Sequence, residues 1–288
     1  MKIGIVGSIN IDFVTVVDRA PKQGETVVGE SFRTVMGGKG ANLAVAIGRL
    51  GGDVTMFGAV GDDDFGKKAV NNLQDNNVQV DNIKTLENES SGIATITVMD
   101  GNNSIIVIGG ANTKVDENFV KAFENKLKEC DIIGTQLEIC PSAVLWLSRF
   151  AKKNNIKFVF NPSPDKEYNF EIIKNADIVI VNEIEIQKFG GKKLLSNYVN
   201  KLILTEGREG ASFHNGVEII RVSTPKVDVV DTTGAGDTFM GALIVEIGDG
   251  KSLEEAVRFA TVAASIKCTK LGAQTAMPKR AEVEVVLK

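Results

Sequence analysis

The stretch Val229-Val230-Asp231-Thr232-Thr233-Gly234-Ala235-Gly236-Asp237-Thr238-Phe239 sets the reading of the whole chain. It reads as an apolar strand running into a glycine-rich turn, after which an apolar segment starts a helix. The backbone amides of Gly234, Ala235, Gly236 and Asp237 would be unpaired at that helix N-terminus. Together with the helix dipole they form an anion site. Glycines let the main chain approach a phosphate with no Cβ in the way. A carboxylate at Asp237 then stands where negative charge gathers, which suits a group that accepts a proton. The same residue could instead cap the helix, the common role of Asp at such a place.

Working outward, β-rich runs alternate with helical stretches, the signature of a parallel sheet with helices on both faces. The expected core strands are Ile3–Ser8, Val54–Ala59, Asp131–Leu137, Lys157–Asn161, Asp177–Asn182 and Leu202–Thr205. The expected helices are Ala41–Leu50, Gly66–Asn76, Glu117–Cys130, Ser142–Asn154, Asp237–Ile247 and Leu253–Thr269. This is a doubly wound α/β pattern. Ligands in open α/β sheets sit beyond the carboxyl ends of the strands, so Asn10, Asp12, Gln136, Glu138, Asn161, Asn182 and Thr205 should line one crevice. Two segments break the alternation. Phe13–Val17 with Thr26–Val35, and Ile93–Met99 with Ser104–Ile108, read as β-ribbons. The second is joined by Asp100-Gly101-Asn102-Asn103, and Asp-Gly favours a hairpin turn. A small β-sheet lid over the crevice, built from about 12–36 and 91–109 in one domain spanning 1–288, is the expected arrangement.

Composition narrows the chemistry. A net charge of −4 and the lack of a Lys/Arg block argue against nucleic acid and membrane surfaces as partners. No apolar run is long enough to span a bilayer, and Met1–Gly7 reads as a core strand rather than a signal peptide. Three cysteines (Cys130, Cys140, Cys268) lack metal-ligand spacing and suit reduced thiols in a cytoplasmic protein. The single histidine, His214, excludes His-rich metal sites and most Ser-His or Cys-His catalysis, leaving carboxylates and lysines for acid–base work.

Two further clusters carry chemistry. Gly37-Gly38-Lys39-Gly40-Ala41-Asn42 opens a helix with one Lys and one Asn, suited to a hydroxyl-rich ligand or to an ordinary helix start. Asn182-Glu183-Ile184-Glu185 ends a strand; Asn182 and Glu185 could hold a hydrated Mg²⁺ near phosphates, or simply begin a polar helix. Nothing matches a G-x-x-x-x-G-K-[ST] loop, and no G-x-G-x-x-G follows the first strand, which disfavours a dinucleotide-binding oxidoreductase. Asp62-Asp63-Asp64 reads as a polar turn and helix start. Met36, Met56, Met99, Met240 and Trp146 read as packing residues, the cysteines as buried small hydrophobes, and Lys192-Lys193 as a solvated face.

In order along the chain, these segments resemble the ribokinase-like (phosphofructokinase-B-type) family of sugar kinases. The resemblance is carried by Gly7-Ser8-Ile9-Asn10-Ile11-Asp12, Gly37 to Asn42, Gly61-Asp62-Asp63-Asp64-Phe65-Gly66 and Gly110-Ala111-Asn112. It continues through Gln136-Leu137-Glu138, Asn161-Pro162-Ser163-Pro164, Asn182 to Glu185, Thr205-Glu206-Gly207, Asp231 to Phe239 and Gly272-Ala273-Gln274. It implies that Asn10, Asp12, Gly38, Lys39, Gly40, Ala41, Asn42 and Glu138 contact a pentose. It makes Asp237 the base and Gly234, Ala235 and Gly236 the anion hole. It assigns the nucleotide loop to Thr205, Glu206, Gly207, Arg208, Glu209 and Gly210, with Asn182, Gly236 and Thr261 also on the ATP side. Thr261 stands where the family often has Asn or His. Glu185 goes with Mg²⁺. A monovalent cation (K⁺) would be held by main-chain oxygens of Asp231, Thr233, Lys267, Lys270 and Gly272, and Ala276 stands where relatives offer a Ser hydroxyl. The residues and the resemblance agree on in-line transfer of the ATP γ-phosphoryl group to a sugar hydroxyl, ribose O5 being favoured over deoxyribose, a nucleoside or fructose. A non-catalytic sugar sensor on the same scaffold is the reading from another class. Exposed edge strands of the lid, with Phe13, Val35, Ile96 and Ile106 on an apolar face, point to a homodimer.

Overall fold

In the computed structural model, residues 1–99 and 102–288 are described. The strands are β1 (Lys2–Val6), β2 (Asn10–Val16), β3 (Ser31–Gly37), β4 (Asp53–Gly61), β5 (Val78–Leu86), β6 (Gly92–Met99), β7 (Asn102–Ile108), β8 (Ile132–Thr135), β9 (Lys157–Phe160), β10 (Ile178–Asn182), β11 (Leu202–Thr205), β12 (Ala211–His214) and β13 (Ile219–Val222). The helices are α1 (Lys39–Arg49), α2 (Asp64–Asp75), α3 (Glu117–Lys121), α4 (Glu124–Leu127), α5 (Pro141–Asn154), α6 (Glu171–Asn175), α7 (Ala235–Gly248), α8 (Leu253–Cys268) and α9 (Arg280–Leu287).

A nine-stranded sheet runs β13-β12-β11-β10-β9-β8-β1-β4-β5. It is parallel from β5 to β11 and antiparallel at the β12 and β13 edge. Its central strands are apolar on both faces, as a sheet covered by helices on both sides requires. Alternate residues go to separate cores. Ile3, Ile5, Val54, Met56, Ile132, Val159, Ile178, Ile180 and Ile203 join α1, α7 and α8. Phe57, Ala59, Ile133, Phe158, Phe160, Val179, Val181, Leu202 and Leu204 join α5 and α6. The doubly wound reading therefore holds strand by strand.

A second sheet, β3-β2-β6-β7, departs from the main one. It is mixed: β2 pairs with β6 in parallel, while β2–β3 and β6–β7 are antiparallel. Asp100 and Gly101, read as the hairpin turn, lie outside the described residues. The first ribbon's second strand begins at Ser31 rather than Thr26. Two other expectations change. The helix expected over Glu117–Cys130 is interrupted at Phe123, whose ring turns back onto Phe57 and Phe119, with centroids 5.6 Å and 5.4 Å away. Val229-Val230 is not a strand. The amides of Val230 and Asp231 both donate to the Cys268 carbonyl at the end of α8, so this segment is tied to a helix end rather than to the sheet.

Candidate active site

Gly234 precedes α7 with φ +78°, a left-handed conformation that a Cβ would strain. The helix then starts at Ala235, which places Asp237 in its first turn; of the four amides expected to be unpaired here, that of Ala235 is not, since the tight turn aims it at Thr232 O at 3.1 Å. Asp237 does not cap the helix: its Oδ2 accepts from Asn42 Nδ2 at 2.9 Å. The carboxylate is buried. Burial raises its pKa and the charge of Glu138 adds to that, while the Lys39 ammonium and the Asn42 hydrogen bond work against it. Asn42 is itself oriented, since Gln274 Nε2 donates to its Oδ1 at 3.0 Å and Asn72 Nδ2 donates to Gln274 Oε1 at 2.6 Å. That relay leaves the amide nitrogen of Asn42, not its oxygen, facing Asp237.

The turn before α1 is built by close main-chain approach. A Cβ on Gly40 would stand 2.6 Å from the backbone of Gly7 and Ser8, so only glycine lets the end of β1 touch the start of α1. Ala41 N donates to Ser8 O at 2.9 Å across this contact. Glu138, just past β8, is held against the same turn by Ser8 Oγ at 2.5 Å and Lys39 N at 2.9 Å. Gln136 Nε2 donates to Lys39 O at 3.0 Å, and its buried Oε1 has no partner among the described residues. Lys39 is the electrostatic junction. Burial lowers its pKa, but the carboxylates of Asp237, Glu138 and Glu185 together outweigh that and raise it.

Asn10 and Asp12 enter from β2. Asn10 pairs in register with Gly37 and Gly92, where the small sheet meets the main one. Asn112 Nδ2 donates to Asn10 Oδ1 at 2.8 Å, and Asn112 Oδ1 accepts from Ile9 N at 2.9 Å. The Asp12 carboxylate is pushed up to about 7, first by burial and then by Glu138. Ser8, Asn112 and Gln274 thus support the site although sequence reasoning gave them no role; each lies in or beside a segment already singled out.

On the other side, Asn161 Nδ2 and Asn182 N both donate to Glu185 Oε2, at 3.4 Å and 3.0 Å. Asn182 Oδ1 accepts from Ile184 N and Glu185 N, so this side chain caps its own turn. Among the described residues no three His, Cys, Asp or Glu side chains cluster into a metal cage. The lone Glu185 carboxylate, steadied by those donors, therefore suits an ion that keeps most of its water, as Mg²⁺ does. Thr205 ends β11, and Gly207, Arg208 and Glu209 form an exposed turn closed by Glu206 N donating to Gly210 O at 2.8 Å. The Glu206 side chain turns inward to Ser212 and Lys192, so it is not offered to a ligand, and Lys192 is paired rather than purely solvated. Thr261 also differs from expectation: it is 4% exposed and its hydroxyl donates to Val257 O at 2.8 Å within α8.

The monovalent-cation expectation meets an obstacle. Asp231 O, one of the expected ligands, already accepts from Lys267 Nζ at 2.5 Å. Ala276 is buried with no hydroxyl to give, and the Lys267 ammonium brings its own positive charge to the oxygen the ion would share. The residues present do not fit a dissociable monovalent ion.

With this geometry in view, the comparisons converge. The model of the pfkB family of carbohydrate kinases matches residues 2–280. A ribokinase of Lactococcus lactis is 41% identical over 292 residues, spanning 100% of this chain and 97% of that protein. A ribokinase of Bacillus subtilis is 39% identical over 98% of both. The structure of Arabidopsis thaliana ribokinase complexed with ribose and ATP superposes with a TM-score of 0.92 at 33% identity, covering 99% of this chain and 98% of that one. The chain belongs to the pfkB family of carbohydrate kinases. It is an ATP-dependent sugar kinase.

Proposed function

We propose that this chain is a ribokinase, transferring the γ-phosphoryl group of ATP to the O5 hydroxyl of ribose with Asp237 as the base. One observation carries the reading. The buried Asp237 carboxylate, aimed by Asn42 at the N-terminus of α7, shares the charge of Lys39 with Glu138 and Glu185. The carboxylates assigned to the sugar side, the base and the phosphate side are therefore all close enough to act on the charge of one ammonium.

In this reading Asn10, Asp12, Asn42 and Glu138 accept and donate hydrogen bonds to the ring hydroxyls, with Gly38, Gly40 and Ala41 shaping the floor. A carboxylate whose pKa is raised by burial is the stronger base, and the Lys39 ammonium works against burial by favouring the ionised form of Asp237. The proton moves to Asp237 as the hydroxyl oxygen attacks the phosphorus in line. The Ala235 amide already donates to Thr232 O at 3.1 Å, so the reading rests on the amides of Gly234 and Gly236 to face the charge on the transferring group; one such aimed donor is worth about 3–4 kcal/mol. Positioning and charge stabilisation supply most of the catalysis of such transfers. Mg²⁺, held through Glu185 and water, would supply further charge neutralisation at the phosphates. The exposed turn at 207–209 is where the nucleotide would lie.

The four-stranded sheet is read as a lid that excludes water, so that ATP is not hydrolysed without transfer. Its edge strand β7 leaves Ile105, Ile106, Val107 and Ile108 each about half exposed or more (52%, 68%, 53%, 49%). A bare apolar edge of this kind favours pairing between two copies, so a homodimer is the expected assembly, and a strict monomer in light scattering would remove that part. Three unpaired cysteines are in keeping with a cytoplasmic setting. The kinase reading is tested by kcat/KM on ribose, deoxyribose, fructose and adenosine side by side. Ribose should be preferred; a higher value on any other sugar would overturn the substrate assignment.

A further inference from the structure

We propose that the side-chain ammonium of Lys267 is a built-in cation beneath the anion loop, standing in this chain where a dissociable monovalent ion would otherwise bind. Lys267 lies in the last turn of α8 and no part of it reaches solvent (0% exposed). Its Nζ donates to the main-chain oxygen of Asp231 at 2.5 Å. Among the described residues it has no carboxylate within ion-pair distance. A buried ammonium with a carbonyl for its partner is a costly arrangement, so what it holds matters.

What it holds is a hub. The Asp231 carboxylate accepts from Thr233 N at 2.9 Å and Thr233 Oγ1 at 2.7 Å through Oδ1, and from Gly272 N at 2.9 Å through Oδ2. Its amide, with that of Val230, donates to Cys268 O. Asp231 thus joins three parts: the loop leading to Gly234–Asp237, the segment after α8, and the carboxyl end of α8. That helix end carries partial negative charge, which favours a cation. The ammonium satisfies the Asp231 carbonyl, fixes the loop whose amides face the transferring phosphate, and adds positive charge on that side. A second cation on the same carbonyl oxygen would stand about 5 Å from Nζ, and repulsion at an effective dielectric near 20 would weaken its binding on the order of a few hundredfold.

The activity arm of the test rests on the sugar-kinase reading; the binding and melting arms do not. Turnover of the wild-type protein is measured in potassium, lithium and choline chlorides at constant ionic strength, thermal melting is recorded in the same salts, and Tl⁺ binding is followed by thallium NMR. The wild type should vary by less than about twofold in turnover, melt alike in all three salts and show no saturable Tl⁺ site. Lys267→Met should lose at least about tenfold in kcat in choline chloride and regain much of it, with a higher melting temperature, in K⁺ or NH₄⁺ but not Li⁺. Wild-type turnover that rises about tenfold with K⁺, or saturable millimolar Tl⁺ binding to the wild type, overturns the proposal. Should Lys267→Met not fold, the wild-type Tl⁺ titration decides by itself. A folded Lys267→Met that keeps full turnover in choline also overturns it.

Discussion

Asp12 offers a test in which stability and function pull apart. Its carboxylate is moved from 3.8 to about 7 by burial and by Glu138. Between those two values the folded protein keeps a proton that the unfolded chain has released, so stability falls as pH rises through that window. From about pH 5 to about pH 8 the full shift corresponds to a loss of about 2.6 kcal/mol, trimmed to about 2 kcal/mol because the group keeps some contact with solvent. Asn at this position carries no such penalty. Melting of wild type and Asp12→Asn should therefore be compared at both pH values, where groups common to the two proteins cancel. The gap between them should widen in favour of the variant by about 3 °C on going to the higher pH. The same substitution removes an acceptor that is charged above about pH 7, and at pH 8 it should raise the KM for ribose at least about tenfold. A gap that does not change with pH would show that Asp12 is ionised at ordinary pH without cost, and would refute the argument from burial.

Two other substitutions probe residues that support the site from behind. Gln274→Leu leaves Asn42 Oδ1 without its Gln274 donor and free to turn; kcat should fall about tenfold, by more than ribose KM rises, because the group lost orients the base as well as a sugar contact, and an unchanged kcat with a raised KM would place Gln274 in binding alone. Asp63 accepts from Gly66 N, Ser91 N and Ser91 Oγ, all at 2.7 Å, and these bonds together hold its pKa low against burial. Asp63→Ala should cost about 2–3 kcal/mol in denaturant unfolding, and a loss below about 0.5 kcal/mol would show that the cap and the tether to β6 are dispensable.

The main sheet was legible because its strands are buried on both faces and read as continuous apolar runs. Edge strands were not. Among the described residues β5 (VQVDNIKTL) pairs in the sheet with β4 alone, and it mixes Asp, Asn and Lys with its apolar residues. β12 and β13 are four residues each and antiparallel, outside the β–α alternation. The glycine-rich turns at Gly38–Asn42 and Gly234–Asp237 could be found because both chemistry and backbone demand those residues. What periodicity could not supply was pairing across the chain. That Glu138 would meet Ser8 and Lys39, or that Asn42 would meet Asp237 from 195 positions away, depends on tertiary packing. For Lys267 the family resemblance points only to the main-chain oxygen. The signal lay in its side chain, a lysine in the otherwise weakly polar run Val262-Ala263-Ala264-Ser265-Ile266-Lys267-Cys268.

The proposed mechanism depends on Asp237 taking the proton from the attacking hydroxyl. Steady-state turnover of Asp237→Asn at saturating ATP and ribose tests it most directly, because Asn keeps the size of the side chain and loses only the basic oxygen. The expected result is a kcat at least about a hundredfold lower, with ribose binding retained within about threefold. A variant that turns over ribose at close to the wild-type rate would contradict the assignment.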